Sequence, residues 1–233
     1  MATSSLGSTN INRASIHRAS LADSVYETLL EAMIGGTLPG GTELNEVALA
    51  KQLDVSRTPV HEALRRLVAD GLVKVERHRR LRVAALSHAE VREVYSMRRL
   101  LESAAAELAA TKISGEALAE QRRAADVLAA AKDAVDWTAQ ALKFDLAFHD
   151  AIAAACGNGR LQQDISRYRL LVRGLCRMTG TVQNLHDALA EHLDILTALE
   201  RRDGRAARDA MAAHIDARLG CVLGQHPTSA TTP

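Results

Sequence analysis

Apolar positions in this chain recur mostly at helical spacing. From Leu21 to Ile34 the residues Leu21, Val25, Leu29, Leu30, Met33 and Ile34 keep a period near 3.6, which predicts a helix that stops at Gly35-Gly36. A shorter apolar set, Val47, Leu49, Ala50 and Leu53, predicts a second helix over 45–53. Asp54-Val55-Ser56 leaves room only for a tight turn. A third helix is then expected over 57–70, with Ser56 or Thr58 as its cap, Pro59 in the first turn and Gly71 as the stop. Val60, Leu64, Leu67 and Val68 form its inward stripe. Over 72–83 the period changes to two, LVKVE and RLRV around Arg77-His78-Arg79, which predicts a two-stranded hairpin.

After Ser87 the pattern is helical throughout. Helices are expected over 87–111, 114–131, 133–156, 159–178, 183–202 and 204–223. Six helices joined by short loops predict an antiparallel bundle. The fold class is therefore mostly α, a winged helix-turn-helix with a small β-hairpin wing followed by a six-helix bundle. The domains are a Ser/Thr/Asn-rich disordered arm over 1–19, the winged domain over 20–84, the helical domain over 87–223 and a disordered tail over 224–233.

Composition supports an ordered protein. Of 233 residues 47% are hydrophobic and 24% charged, with 14 Gly and 4 Pro. No apolar run approaches the ~18–20 residues of a membrane span, and residues 1–13 lack the apolar segment of a secretory signal. Cys156, Cys176 and Cys221 show no CxxC spacing, so neither a disulfide framework nor a cysteine zinc site is expected. A cytoplasmic protein with no membrane partner fits these features.

The net charge of +1 hides a local excess. Residues 51–82 hold nine basic and four acidic side chains. On the third helix Arg57, Thr58, His61 and Arg65 lie outside the apolar stripe, near the end that short recognition helices place in a major groove. Arginine there can bond guanine O6 and N7 in bidentate fashion. The segment Lys74–Arg82 carries five basic residues and one acidic; Arg79 and Arg80 at its tip suit the phosphate backbone or a minor groove. Helix-turn-helix units also serve as protein-interaction modules, a reading the basic face and wing disfavour.

The run VYETLLEAMIGGTLPGGTELNEVALAKQLDVSRTPVHEALRRLVADGLVKVE closely resembles the DNA-binding domain of GntR-family transcription regulators over residues 21–83. The resemblance implies that the arginine of SRTPV, here Arg57 with Thr58 beside it, reads the operator. The chain departs from the family in two places. His61 follows PV where arginine is usual, and His78-Arg79-Arg80-Leu81 stands where the wing usually has glycine.

In the helical half, Asp145 and His149 are four apart and share a helix face. His192 and His214 each lie eleven residues from the turn at Asp203. Both then stand roughly 16 Å from that turn, level with one another if the last two helices pair antiparallel. One Asp and three His converging in a bundle can bind a divalent cation, zinc first, or nickel or manganese, with positions left open for water or a ligand carboxylate. The same spacing also fits a mere local hydrogen bond between Asp145 and His149.

Segments 94–110, 144–161 and 191–215 resemble the FCD ligand-binding domain of FadR-type GntR regulators, in the shorter VanR-like branch. That resemblance implies Asp145, His149, His192 and His214 as metal ligands. It also implies Arg98 as a cavity residue that meets a ligand carboxylate. An Arg98–Glu102 pair at i, i+4 is the alternative for Arg98, and Arg99 a weaker choice of arginine. His186 falls on no ligand position and reads as a surface or satisfied polar residue.

The expected function is a ligand-responsive homodimeric transcription regulator, a repressor by default, that binds a palindromic operator in double-stranded DNA under control of a small organic acid. It is not expected to be an enzyme. The rivals are a helical-bundle metalloenzyme fused to a DNA-binding domain and an effector-independent DNA binder. No E-x-x-H carboxylate set or evident general base supports the former.

Overall fold

The computed structural model describes residues 13–131, 134–179 and 181–225, with side chains for 21–131, 134–173 and 181–224. The chain forms two units, divided between Ala85 and Leu86.

The first unit runs α1 (Arg13–Ile34), β1 (Glu43–Leu44), α2 (Glu46–Gln52), α3 (Arg57–Ala69), β2 (Val73–Val75), a 3-10 turn (Arg77–Arg79) and β3 (Leu81–Val83). α1 begins before the apolar period does, so the arm expected over 1–19 already gives way to helix at Arg13, and residues 1–12 lie outside the described residues. Its buried face is Ala22, Val25, Tyr26, Leu29, Leu30 and Ile34. Leu21, expected inside, is exposed and Met33 only half-buried, because Ala22 and Tyr26 hold the seam against α3 instead. On α3 the stripe is Val60, Ala63, Leu64 and Leu67, each at most 1% exposed.

Asn45 caps α2 by accepting from Val47 N and Ala48 N, both at 3.0 Å. Ser56, one of the two caps expected, occupies the cap position of α3 but makes no side-chain cap bond. Gly71 stops α3 in the left-handed conformation, φ 79°. There its N–H reaches Val68 O, and the following Leu72 N reaches Leu67 O at 2.9 Å.

The sheet is antiparallel with order β1-β3-β2. β2 and β3 are the expected hairpin, but it gains a third strand: Glu43 pairs Arg82 and Leu44 pairs Leu81. Two residues are too short for an alternation to register.

Among the described residues the second unit holds six helices: α4 (His88–Ala109), α5 (Gly115–Ala130), α6 (Trp137–Ala155), α7 (Gly159–Thr179), α8 (Val182–Glu200) and α9 (Gly204–Gln225). A capping box of Ser87 and Glu90 starts α4. α6 starts at Trp137 rather than 133, after a turn, and Trp137 anchors that start through Nε1 to Leu128 O at 2.8 Å. The breaks expected at 132–133 and at Gly180, and the tail beyond Gln225, lie outside the described residues. α4 packs against α6, α7 and α9, and α8 against α5, α6 and α9. Val91, Phe148, Ile195, Leu196, Leu199 and Ile215 fill the centre.

Candidate functional site

The four polar residues read from the helical half come together. Asp145 and His149 project from α6, His192 from α8 and His214 from α9, with one ligand atom of each inside a 4.8 Å group. Nε2 of His149 lies 3.2 Å from Nε2 of His214 and 3.3 Å from Nε2 of His192. Asp145 Oδ1 stands 3.7 Å from His149 Nε2 and 3.6 Å from His192 Nε2. A tetrahedral shell with zinc–nitrogen bonds of ~2.0–2.1 Å has edges of about 3.3 Å, so this spacing suits a cation at the centre.

The tautomers point the same way. Nδ1 of His214 lies 2.7 Å from Glu191 Oε2, and Nδ1 of His149 lies 2.5 Å from Glu102 Oε2, a close but off-axis contact. A carboxylate only accepts, so in a neutral His214 ring Nδ1 carries the proton and Nε2 keeps its lone pair, and the Glu102 oxygen beside His149 Nδ1 favours the same tautomer there. In that tautomer of both rings, two lone pairs would face each other at 3.2 Å. A cation held between them would turn that repulsion into two bonds. Among the described residues His192 has no such partner, and its buried Nδ1 makes no hydrogen bond. Phe148 holds the ring by packing, with centroids 4.4 Å apart.

The rings are essentially excluded from water. Burial pushes His192 down to about 3 and His214 to about 4, and His149 also well below the ordinary imidazole range. Burial alone would raise Asp145. The neighbouring His149 and Arg169 more than offset it, and the carboxyl is held below its usual range. Neutral imidazoles and an ionised carboxylate are the protonation states a metal requires.

Three partners of this cluster were not foreseen. Glu102, 2% exposed, touches His149 with one oxygen and accepts from Arg98 Nε at 2.8 Å with the other. Glu191 makes the matching arm: it faces His214 and accepts from Arg218 Nη2 at 3.0 Å. Arg169 on α7 reaches Asp145 Oδ2 at 3.3 Å and Asp150 Oδ1 at 3.0 Å, and so orients the Asp145 carboxylate. Arg98 pairs with Glu102, the alternative read for it, and also lines a cavity of ≈ 50 Å³ beside Asp145, His214 and Arg218. Arg99 instead pairs with Asp216 in solvent. His186 stacks on Trp137, ring centroids 3.9 Å apart.

In the first unit Arg57, Thr58, His61 and Arg65 are all exposed on α3, on the side opposite its buried stripe. Without a Ser56 cap bond, the first N–H groups of α3 have no side-chain acceptor from that residue, which suits a phosphate. Glu46 contacts Arg57 at 3.5 Å and His61 at 3.2 Å. On the wing, Arg79 and Arg80 are exposed at the tip. Arg82, counted with them from sequence, turns back into the sheet: it pairs Glu76 at 3.1 Å and Glu43 at 3.5 Å and donates to Gly41 O.

Residues 21–83 match the family model described as bacterial regulatory proteins, gntR family, and residues 93–217 match the FCD domain. The probable D-xylose utilization operon transcriptional repressor of Paenarthrobacter nicotinovorans is 30% identical over 202 residues, 87% of this chain and 88% of that protein. The HTH-type transcriptional repressor RspR of Escherichia coli is 28% identical over 194 residues, 82% of this chain and 84% of that one. The solved structure of E. coli McbR/YncC superposes with a TM-score of 0.75 over 89% of this chain and 99% of its own, and at 24% identity it shows the shared fold. No helix among the described residues is long and apolar enough to cross a membrane. The chain belongs to the GntR family, with an FCD domain behind its winged helix-turn-helix, and is a DNA-binding transcriptional regulator rather than an enzyme.

Proposed function

We propose that the protein is a homodimeric repressor whose hold on a palindromic operator is set by a small carboxylate, bound beside a divalent cation in the helical unit. The observation that carries this reading is the convergence of Asp145, His149, His192 and His214 in one buried cluster, with Nε2 of His149 and of His214 3.2 Å apart. Asp145, His149, His192 and His214 would hold the cation. Three nitrogens and one oxygen within 4.8 Å of one another favour zinc, with nickel or manganese as alternatives. When bound, the cation supplies Lewis acidity toward an effector oxygen. Arg98, on the wall of the adjoining cavity, meets the effector's carboxylate. The names of the two repressors above support repression here.

On the DNA side, Arg57, Thr58, His61 and Arg65 enter the major groove from the N-terminal half of α3, while Arg79 and Arg80 hold the backbone from the wing. Two winged units in a homodimer would then set the half-site spacing. The effector acts by binding unequally to two dimer arrangements.

The test is elemental analysis of untagged protein, wild type beside His192→Ala. About one metal per protomer, absent from the variant, supports the site. No metal in properly loaded wild type would reduce the four residues to polar cavity lining.

A further inference from the structure

Given the docking of α3 proposed above, we infer that Glu46 decides which base His61 reads, by fixing the imidazole as a hydrogen-bond acceptor toward the operator. Arg57 and His61 are four residues apart on α3 and share a face, their side chains 68% and 58% exposed. Glu46, from the first turn of α2, is 24% exposed and stands against both. Its Oε1 lies 3.5 Å from Arg57 Nη2, and its Oε2 lies 3.2 Å from His61 Nδ1. One carboxylate from a neighbouring helix thus orients two side chains of the reading face.

The histidine contact has a polarity. A carboxylate accepts only, so Nδ1 is the nitrogen that carries the proton. The neutral ring then presents Nε2, on its far side, as a lone pair. In the major groove the amino groups are cytosine N4 and adenine N6, whereas guanine offers only acceptors there and thymine an acceptor and a methyl. His61 in this tautomer matches cytosine or adenine and sets a lone pair against guanine. Arg57 has the opposite character, all donors and no acceptor, and its match is guanine. Four residues rise ~6 Å along a helix, roughly two base-pair steps of ~3.4 Å. Each half-site should therefore carry a guanine within about two steps of an amino-bearing base, and the dimer should repeat the pair in inverted order.

The experiment is selection from a randomised duplex library with the full-length protein, followed by affinities for the selected site and its single-base variants. Wild type should prefer cytosine or adenine at one position by about three- to tenfold, the worth of one hydrogen bond. His61→Ala should erase that preference and no other, and His61→Arg should convert it to guanine. Glu46→Ala should relax the same position at an unchanged melting temperature. Glu46→Gln, which keeps an acceptor, should restore it.

A wild-type preference for guanine at the His61-dependent position overturns the proposal. So does a selected site that Glu46→Ala leaves intact. If Arg57→Ala relaxes a base but His61→Ala does not, the docking of α3 stands and the assignment of His61 falls. If neither variant changes any selected base, the docking itself is wrong.

Discussion

Nδ1 of His149 lies 2.5 Å from Oε2 of Glu102, and both side chains are buried. The other oxygen of that carboxylate holds Arg98, so one acid joins a candidate metal ligand to the cavity arginine. An outer carboxylate in this position favours one tautomer and restrains the ring, here by close contact and charge. Truncation to alanine would also leave the Arg98 charge buried without this partner, a change that costs about 3–5 kcal/mol. Glu102→Gln keeps the shape and an oxygen acceptor for Arg98, and removes the charge. It should weaken divalent-metal affinity by about 10–100-fold in competition with a chelator, at unchanged helical content. Equal affinity would mean that packing alone orients His149.

Acid should destabilise the metal-free protein. His192 and His214 have folded pKa values of about 3 and about 4 against an ordinary 6.5, so the unfolded chain binds their protons more readily. Stability is then at its highest above the unfolded value and drains as pH falls toward the folded ones. Asp145, held below its usual range, adds a further destabilisation once pH drops below that range. Chelator-treated protein should show a falling Tm from pH 7 to pH 5, and a saturating divalent cation should raise the whole curve. A level Tm across that interval in the metal-free protein would contradict the burial of neutral histidines.

Long periodic segments were legible because their signal repeats: the six-helix order follows from spacing, and so do Val60, Leu64 and Leu67 of the α3 stripe, whereas Val68 is only half-buried and Ala63 completes the stripe. The meeting of His192 with His214 was legible too, since equal distance from one turn fixes equal height on paired helices. Glu102, Glu191 and Arg169 were not. Glu102 was visible only as an i, i+4 partner of Arg98, and its second contact depends on how α4 lies against α6. Arg169 reaches Asp145 from a different helix, and no local pattern encodes that crossing. Leu21 failed for the converse reason: period alone cannot say where a buried seam begins, and Ala22 and Tyr26 took that place.

The wing tip holds bulky residues where a glycine would relax it. His78 and Arg79 have φ of 62° and 59°, the left-handed region, which costs roughly 1–2 kcal/mol per non-glycine residue. His78→Gly removes that strain but gives the unfolded chain more freedom, worth about 0.5–1 kcal/mol the other way. The net stabilisation should be about 0.5–1 kcal/mol. Amide exchange in β2 and β3 should then slow about two- to fivefold, if opening of the tip governs it. Faster exchange would show that the His78 side chain stabilises the tip by more than its backbone strain costs.

The same geometry separates the wing arginines by role. Arg79 and Arg80 are exposed at the tip, whereas Arg82 lies between Glu76 and Glu43 and ties β3 to the Gly41 carbonyl. A cation already matched by two acids releases few counterions when DNA arrives; an unmatched one releases more. Removing Arg79 and Arg80 together should flatten the log–log salt dependence of operator binding by about 0.9 units for each phosphate that is no longer neutralised. Arg82→Ala should leave that slope nearly unchanged and instead loosen the sheet, visible as faster exchange of the Val83 amide, which donates to Thr42 O. A double variant with the wild-type slope would mean that the tip does not touch the backbone. A slope changed by Arg82→Ala alone would mean that its ion pairs open on DNA and that the sheet, not the tip, meets the phosphates.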